Sequence, residues 1–178
     1  MPEDKKTKIK YLLTRIKEND LFALGDLLEL KTKDIQTIAY NIIKDKTCIE
    51  DVVNEVVISF IQNVNNFSDE QNLNGWLNSV AINKSIDYLR KYKSDLNINN
   101  DSNAASLKNL DSEEQIVERI SVLDVLAKMI DIERIVLVEK TINKCNYETI
   151  SEKYNISYKQ VRRIYKTAKE NFINYYKK

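Results

Sequence analysis

Apolar side chains recur along this chain at the spacing of one helix face. Ile9, Leu12, Leu13 and Ile16, then Leu21, Leu24, Leu27 and Leu28, fall three or four residues apart, and Ile35, Ile38, Ala39, Ile42 and Ile43 repeat the pattern. These positions predict two or three packed helices. The segment Val52-Val53-Asn54-Glu55-Val56-Val57-Ile58 has the β-branched composition of a strand, yet its apolar pairs return every fourth residue, so periodicity assigns a helix to about Val64. Thr47-Cys48-Ile49-Glu50 has the residues of a capping box, and Glu50 and Asp51 supply acids in the first turn, where the helix dipole favours them. The polar stretch Asn65 to Gly75, with Phe67 inside it, reads as a loop. Trp76 then opens an amphipathic helix to about Lys93.

Residues 94–111 lose this periodicity and are rich in Asn, Ser and Asp, the composition of a linker. Ser112-Glu113-Glu114-Gln115 is a second capping box and starts a helix to about Met129; Glu133 to Asn143 makes another. Two further helices, Asn146 to Tyr154 and Ser157 to about Tyr176, are separated by a very short turn. Two glycines and one proline leave too little turn punctuation for an all-β fold. The expectation is an all-α protein: an N-terminal helical bundle (1–93), a flexible linker (94–112) and a C-terminal helical domain (113–178).

Composition removes several chemistries. There is no histidine, and Cys48 and Cys145 stand alone, so the usual zinc sets, histidine acid–base chemistry and Cys-His nucleophiles are excluded, and no metal, cofactor or catalytic residue is expected. Both cysteines are expected as buried, reduced thiols. No apolar run is long enough for a membrane span and no secretory signal is visible, which predicts a cytoplasmic protein.

The net charge of +1 conceals a strong pattern. Between Cys48 and Asn83 there is no Lys or Arg, against Glu50, Asp51, Glu55, Asp69 and Glu70. Lys84, Arg90, Lys91 and Lys93 then stand against Asp87 alone. From Ser151 onward, eight basic residues oppose Glu152 and Glu170. One acidic block and two separate basic blocks suit one protein partner and two nucleic-acid contacts.

The C-terminal pair has the pattern of a helix-turn-helix. Ile150 and Tyr154 face inward on the first helix, Asn155 stands where a left-handed cap is needed, and Ile156 plugs the turn. Ser157 and Gln160 form a capping box on the second helix. Its apolar line Val161, Ile164, Ala168, Phe172 leaves Lys159, Gln160, Arg162, Arg163, Lys166 and Lys169 on other faces, as in a basic recognition helix. Fully extended, a linker of about 18 residues reaches at most roughly 60 Å, so the flanking domains can sit more than one DNA turn apart.

Ile49-Glu-Asp-Val-Val-Asn-Glu-Val-Val-Ile-Ser-Phe, followed by Gly75-Trp-Leu-Asn-Ser-Val-Ala-Ile-Asn-Lys-Ser-Ile-Asp-Tyr-Leu-Arg-Lys-Tyr-Lys, resembles region 2 of bacterial sigma factors. With the downstream helix-turn-helix as region 4, the chain resembles an alternative sigma factor of the small extracytoplasmic-function type, a layout shared with small clostridial toxin and bacteriocin regulators. The resemblance implies a non-enzymatic subunit that binds core RNA polymerase and directs promoter-specific initiation, with an anti-sigma factor as a further partner. It implies that Asp51, Asn54 and Glu55 meet the polymerase, Asn54 replacing the family's usual Gln. It implies −10 contacts from Phe67, Asn74, Asn83, Lys84, Arg90, Lys91 and Lys93, with Asn83 reading an unstacked base. Trp76 reads as a core anchor. The resemblance also implies −35 contacts from Ser157, Tyr158, Lys159, Gln160, Arg162, Arg163 and Lys166. The frequent glycine of the helix-turn-helix turn is absent, and Asn143-Lys144-Cys145 covers another common glycine position. The competing reading is a DNA-binding regulator whose N-terminal bundle serves oligomerisation or effector binding.

Overall fold

The computed structural model describes residues 5–98 and 113–177, which form α-helices joined by short turns, with no strand among the described residues. The N-terminal apolar runs make two helices, α1 (Lys5–Lys17) and α2 (Leu21–Ile43). Asp20 caps α2 by accepting from the backbone N–H groups of Phe22 and Ala23 at 2.9 and 3.2 Å. Lys44 in the left-handed region ends it.

The β-branched run is helical, as its period demands: α3 spans Ile49–Asn63 and buries Ile49, Val52, Val53, Val56 and Phe60. Its start differs from expectation. Asp45 accepts from both the backbone N–H and the hydroxyl of Thr47, at 2.9 and 2.8 Å, which turns the Thr47 side chain back toward the preceding turn. Cys48 becomes the N-cap, without a side-chain bond.

A short 3₁₀ turn (Val64–Asn66) leads to α4 (Glu70–Ile98), which begins six residues before Trp76 and ends five after Lys93. Asp69 was the missed start signal: its carboxylate accepts from the Asn72 backbone N–H at 2.9 Å. Gly75, read from sequence as the end of a loop, lies buried inside the helix. A Cβ there would sit 2.7 Å from the Lys153 carbonyl oxygen, so this glycine serves close approach. Of the expected linker, residues 94–98 continue α4, and residues 99–112 lie outside the described residues, as does the Ser112 cap.

The C-terminal segment comprises α5 (Glu113–Lys128), α6 (Asp131–Thr141), α7 (Tyr147–Tyr154) and α8 (Tyr158–Tyr176). Helix α4 packs against α2, α3, α5 and α7, and one continuous apolar cluster runs from Ile9 and Leu13 through Leu73, Ile82 and Ile86 to Leu126, Val138 and Ala168. The two halves thus share a core, and an Asn41 to Asn143 amide hydrogen bond of 3.1 Å also joins them. Each fully buried Leu or Ile contributes about 1.5–3 kcal/mol. Beside Asn143, an open cavity of about 950 Å³ between the halves is lined by Lys31, Asp34, Asn74, Asn78 and Lys153. Lys31, itself buried, pairs with Glu70 at 3.1 Å and ties α2 to the start of α4. Both cysteines are free, but half-buried and not fully enclosed as expected, because each lies at a helix edge where neighbouring turns are polar.

Candidate nucleic-acid interface and partner surface

Because Val52, Val53, Val56 and Phe60 point inward, helical geometry turns Asp51, Asn54, Ile58 and Ile61 outward, and all four are exposed. Ile58 and Ile61 are 55% and 48% exposed, giving this acidic face an apolar centre that charge counting alone missed. Glu55, half-buried at the edge of the face, is held by Lys84 of α4 at 3.0 Å and approached by Lys91 at 3.9 Å. The acidic block and the first basic block therefore meet along the α3–α4 seam.

Along α4 the expected −10 residues separate into groups. Lys84, Arg90 and Lys91 lie on the accessible side, Arg90 paired with Asp87 at 3.6 Å. The Lys93 side chain falls outside the described residues. Asn83 is half-buried, and its Oδ1 is enclosed with no hydrogen-bond partner among the described residues. Asn74 is half-buried in the inter-helix cavity and donates weakly to Glu70 at 3.4 Å. Phe67 corrects the expectation: it is 5% exposed, stacked on Phe60 at 5.9 Å and tilted against Trp76 at 4.9 Å. Its polar sequence neighbours concealed an apolar anchor, and the ring has no face free for a base. Trp76 packs partly buried against the same cluster.

The C-terminal pair has the expected local geometry. Asn146 caps α7 through the Thr149 N–H at 2.7 Å, and Asn155 follows in the left-handed region at φ 52°. Lys144, in the other position where glycine is common, also takes a positive φ of 57°. Ile156 packs against Val136, Ile150 and Val161. On α8 the Ser157–Gln160 capping box is complete, so the Gln160 carbonyl oxygen is engaged in the cap and only its amide nitrogen remains for DNA. Tyr158, Lys159, Arg162, Arg163 and Lys166 are exposed along one side of α8 and its flanks.

Sequence reasoning missed the node behind this pair. Glu139, at the end of the apolar run Ile135 to Val138, is fully buried, and its carboxylate accepts from Lys153 at 3.0 Å, Tyr154 at 2.6 Å, Asn143 at 3.2 Å and Cys145 at 3.2 Å. Burial alone would raise its pKa, but the Lys153 charge and the Tyr154, Lys153 and Cys145 hydrogen bonds hold it below the usual carboxylate value. Burial, then the Glu139 charge, pushes the Cys145 thiol up to about 11 and also raises Tyr154. An acid closing an apolar run was the available signal. The node fixes α7 on α6, and Lys153 carries the carbonyl that meets Gly75.

Residues 30–94 match the family model of sigma-70 region 2, a span that takes in the second half of α2, α3 and most of α4. The chain is similar to the ECF RNA polymerase sigma factor SigW of Bacillus subtilis (strain 168), at 28% identity over 109 residues, covering 61% of this chain and 57% of that protein. It thus spans a little over half the length of the curated relative it matches. Among solved structures, CnrH in complex with the cytosolic domain of CnrY shares the fold, with a TM-score of 0.51 and 17% identity over 94% of this chain and 96% of that one. The sigma factor RpoE of Bartonella quintana, in complex with the anti-sigma factor NepR, aligns at a TM-score of 0.44 and 14% identity over 86% of this chain and 96% of that one.

Proposed function

We propose that this protein is a promoter-recognition subunit that binds core RNA polymerase and directs initiation, catalysis remaining with the polymerase. The observation that carries this reading is a sigma-70 region 2 segment followed, in the same chain, by a capped basic helix-turn-helix. Residues 1–93 then serve as region 2 and residues 113–178 as region 4. Asp51 and Asn54, with the exposed Ile58 and Ile61 beside them, meet the polymerase, an acidic rim around an apolar centre suited to arginine-bearing helices. Asn83 reads an unstacked −10 base, while Lys84, Arg90, Lys91 and Lys93 hold phosphates. The recognition helix α8 reads the −35 element. Glu55 does double duty: its pairing with Lys84 and Lys91 neutralises phosphate-binding charge until one partner is drawn away. No described helix is long and apolar enough to cross a membrane, and the protein acts where core polymerase is, in the cytoplasm. An anti-sigma factor is its further partner, and the similarly folded CnrH is seen in complex with the cytosolic domain of CnrY.

Reconstitution with core polymerase, followed by sequencing of transcripts made from host genomic DNA, tests this. The expected result is a discrete set of start sites sharing two upstream elements. Failure to associate with core, together with tight unaided binding to a palindromic operator, would replace it with the DNA-binding-regulator reading.

A further inference from the structure

One face of α8 carries Tyr158, Arg162 and Tyr165, and a single ring from α7 braces it. Tyr147, the first residue of α7, meets Tyr158 edge-on with ring centroids 6.0 Å apart, and meets Tyr165 at 5.8 Å. The three α8 residues are spaced four and then three apart, so the arginine stands between the two rings that Tyr147 steadies. The Arg162 guanidinium lies over the Tyr158 ring, 5.9 Å from its centroid. Helical side chains lean toward the helix N-terminus, so this ring draws the guanidinium to the end of α8 from which a recognition helix reaches base edges. Behind Tyr147, the Lys140 ammonium sits 4.7 Å over its ring and ties the brace to α6. Arg163 has no ring over it among the described residues.

We propose that Arg162, and not Arg163, is the guanine-reading arginine of α8, and that Tyr147 and Tyr158 are positioning residues that set its direction. The proposal rests on the promoter-recognition reading above. A guanidinium already aimed loses less rotamer freedom when it forms its paired hydrogen bonds to guanine. A cation–π contact at an exposed site is weak, so loss of a brace relaxes discrimination about two- to fivefold and does not abolish it.

The test is polymerase reconstituted with the full chain and a promoter library randomised at the upstream element. Arg162→Ala is expected to abolish preference for guanine at one base pair. Tyr147→Leu and Tyr158→Leu should weaken preference at that same base pair two- to fivefold, Tyr147→Phe should restore it, and Tyr147→Leu should add nothing once Arg162 is alanine. Should Tyr147→Leu fail to fold, Tyr158→Leu carries the test, since that ring is 43% exposed. Unchanged preference in Tyr158→Leu, a Tyr147→Leu effect that persists without Arg162, or guanine preference that follows Arg163 overturns the proposal. Wild-type protein that selects no promoter at all, seen before any variant is compared, overturns the underlying reading instead.

Discussion

Replacing Gly75 with alanine sets two effects of known size against each other. In an open helix interior the change is favourable by about 0.8–1.0 kcal/mol, because glycine loses more backbone freedom on folding. Here the added Cβ would lie 2.7 Å from the Lys153 carbonyl oxygen and 3.7 Å from the Tyr154 Cα. Both are backbone atoms, and α7 is fixed from behind by the Glu139 node, so neither can swing aside as a side-chain tip would. Overpacking such a contact costs about 1–3 kcal/mol, which exceeds the propensity gain over most of its range. The expected outcome is a net loss of about 1 kcal/mol, a fall in Tm of roughly 2–4 °C for a chain of this size. Urea unfolding followed through Trp76, the sole tryptophan, measures the loss. Hydrogen exchange should locate it, with faster exchange in α7 and unchanged exchange in α3. A gain of about 1 kcal/mol would mean that propensity acts alone, and the close approach of α7 to α4 would be refuted.

Phe67→Ala should cost about 3–5 kcal/mol in chemical unfolding, because the ring is enclosed between Phe60 and Trp76; a loss under 1 kcal/mol would return it to the surface. Glu139→Gln should lose about 1.5–3 kcal/mol near neutral pH, since its donors lose a charged acceptor. With the folded Glu139 pKa below its ordinary 4.5, its contribution is present above that value and fades as pH falls through the lower folded one, so the gap between wild type and Glu139→Gln should close on acidification. A pH-independent gap would assign the loss to packing. On the proposed docking, Asp51→Arg should weaken capture by core polymerase in a pull-down at physiological salt without changing helical content, and unaltered capture would remove this face from the interface. Asp51 is the cleaner position, since Glu55→Arg would also confront Lys84 and Lys91.

The sequence by itself determined what depends on neighbours a few residues away. Helical period overrode the strand composition of Val52 to Ile58, the Ser157–Gln160 box fixed the start of α8, and Asn155 was legible as a left-handed cap because side-chain size and local hydrogen bonding decide such positions. The faces of α3 and α8 followed from the same spacing, and with them the exposed Asp51, Asn54, Arg162 and Arg163. What failed was each reading that needed a partner distant in the chain. Gly75 looked like the end of a loop because the atom that demands it belongs to Lys153; Phe67 looked like a loop residue because its companions are Phe60 and Trp76. Glu139 among apolar neighbours became acceptable only when Asn143, Cys145, Lys153 and Tyr154 converged on it. Local geometry is written at helical spacing, whereas close approach, burial of a charge and the meeting of acidic and basic surfaces at Glu55 are set by which helices pack together, and only the tertiary structure decides that.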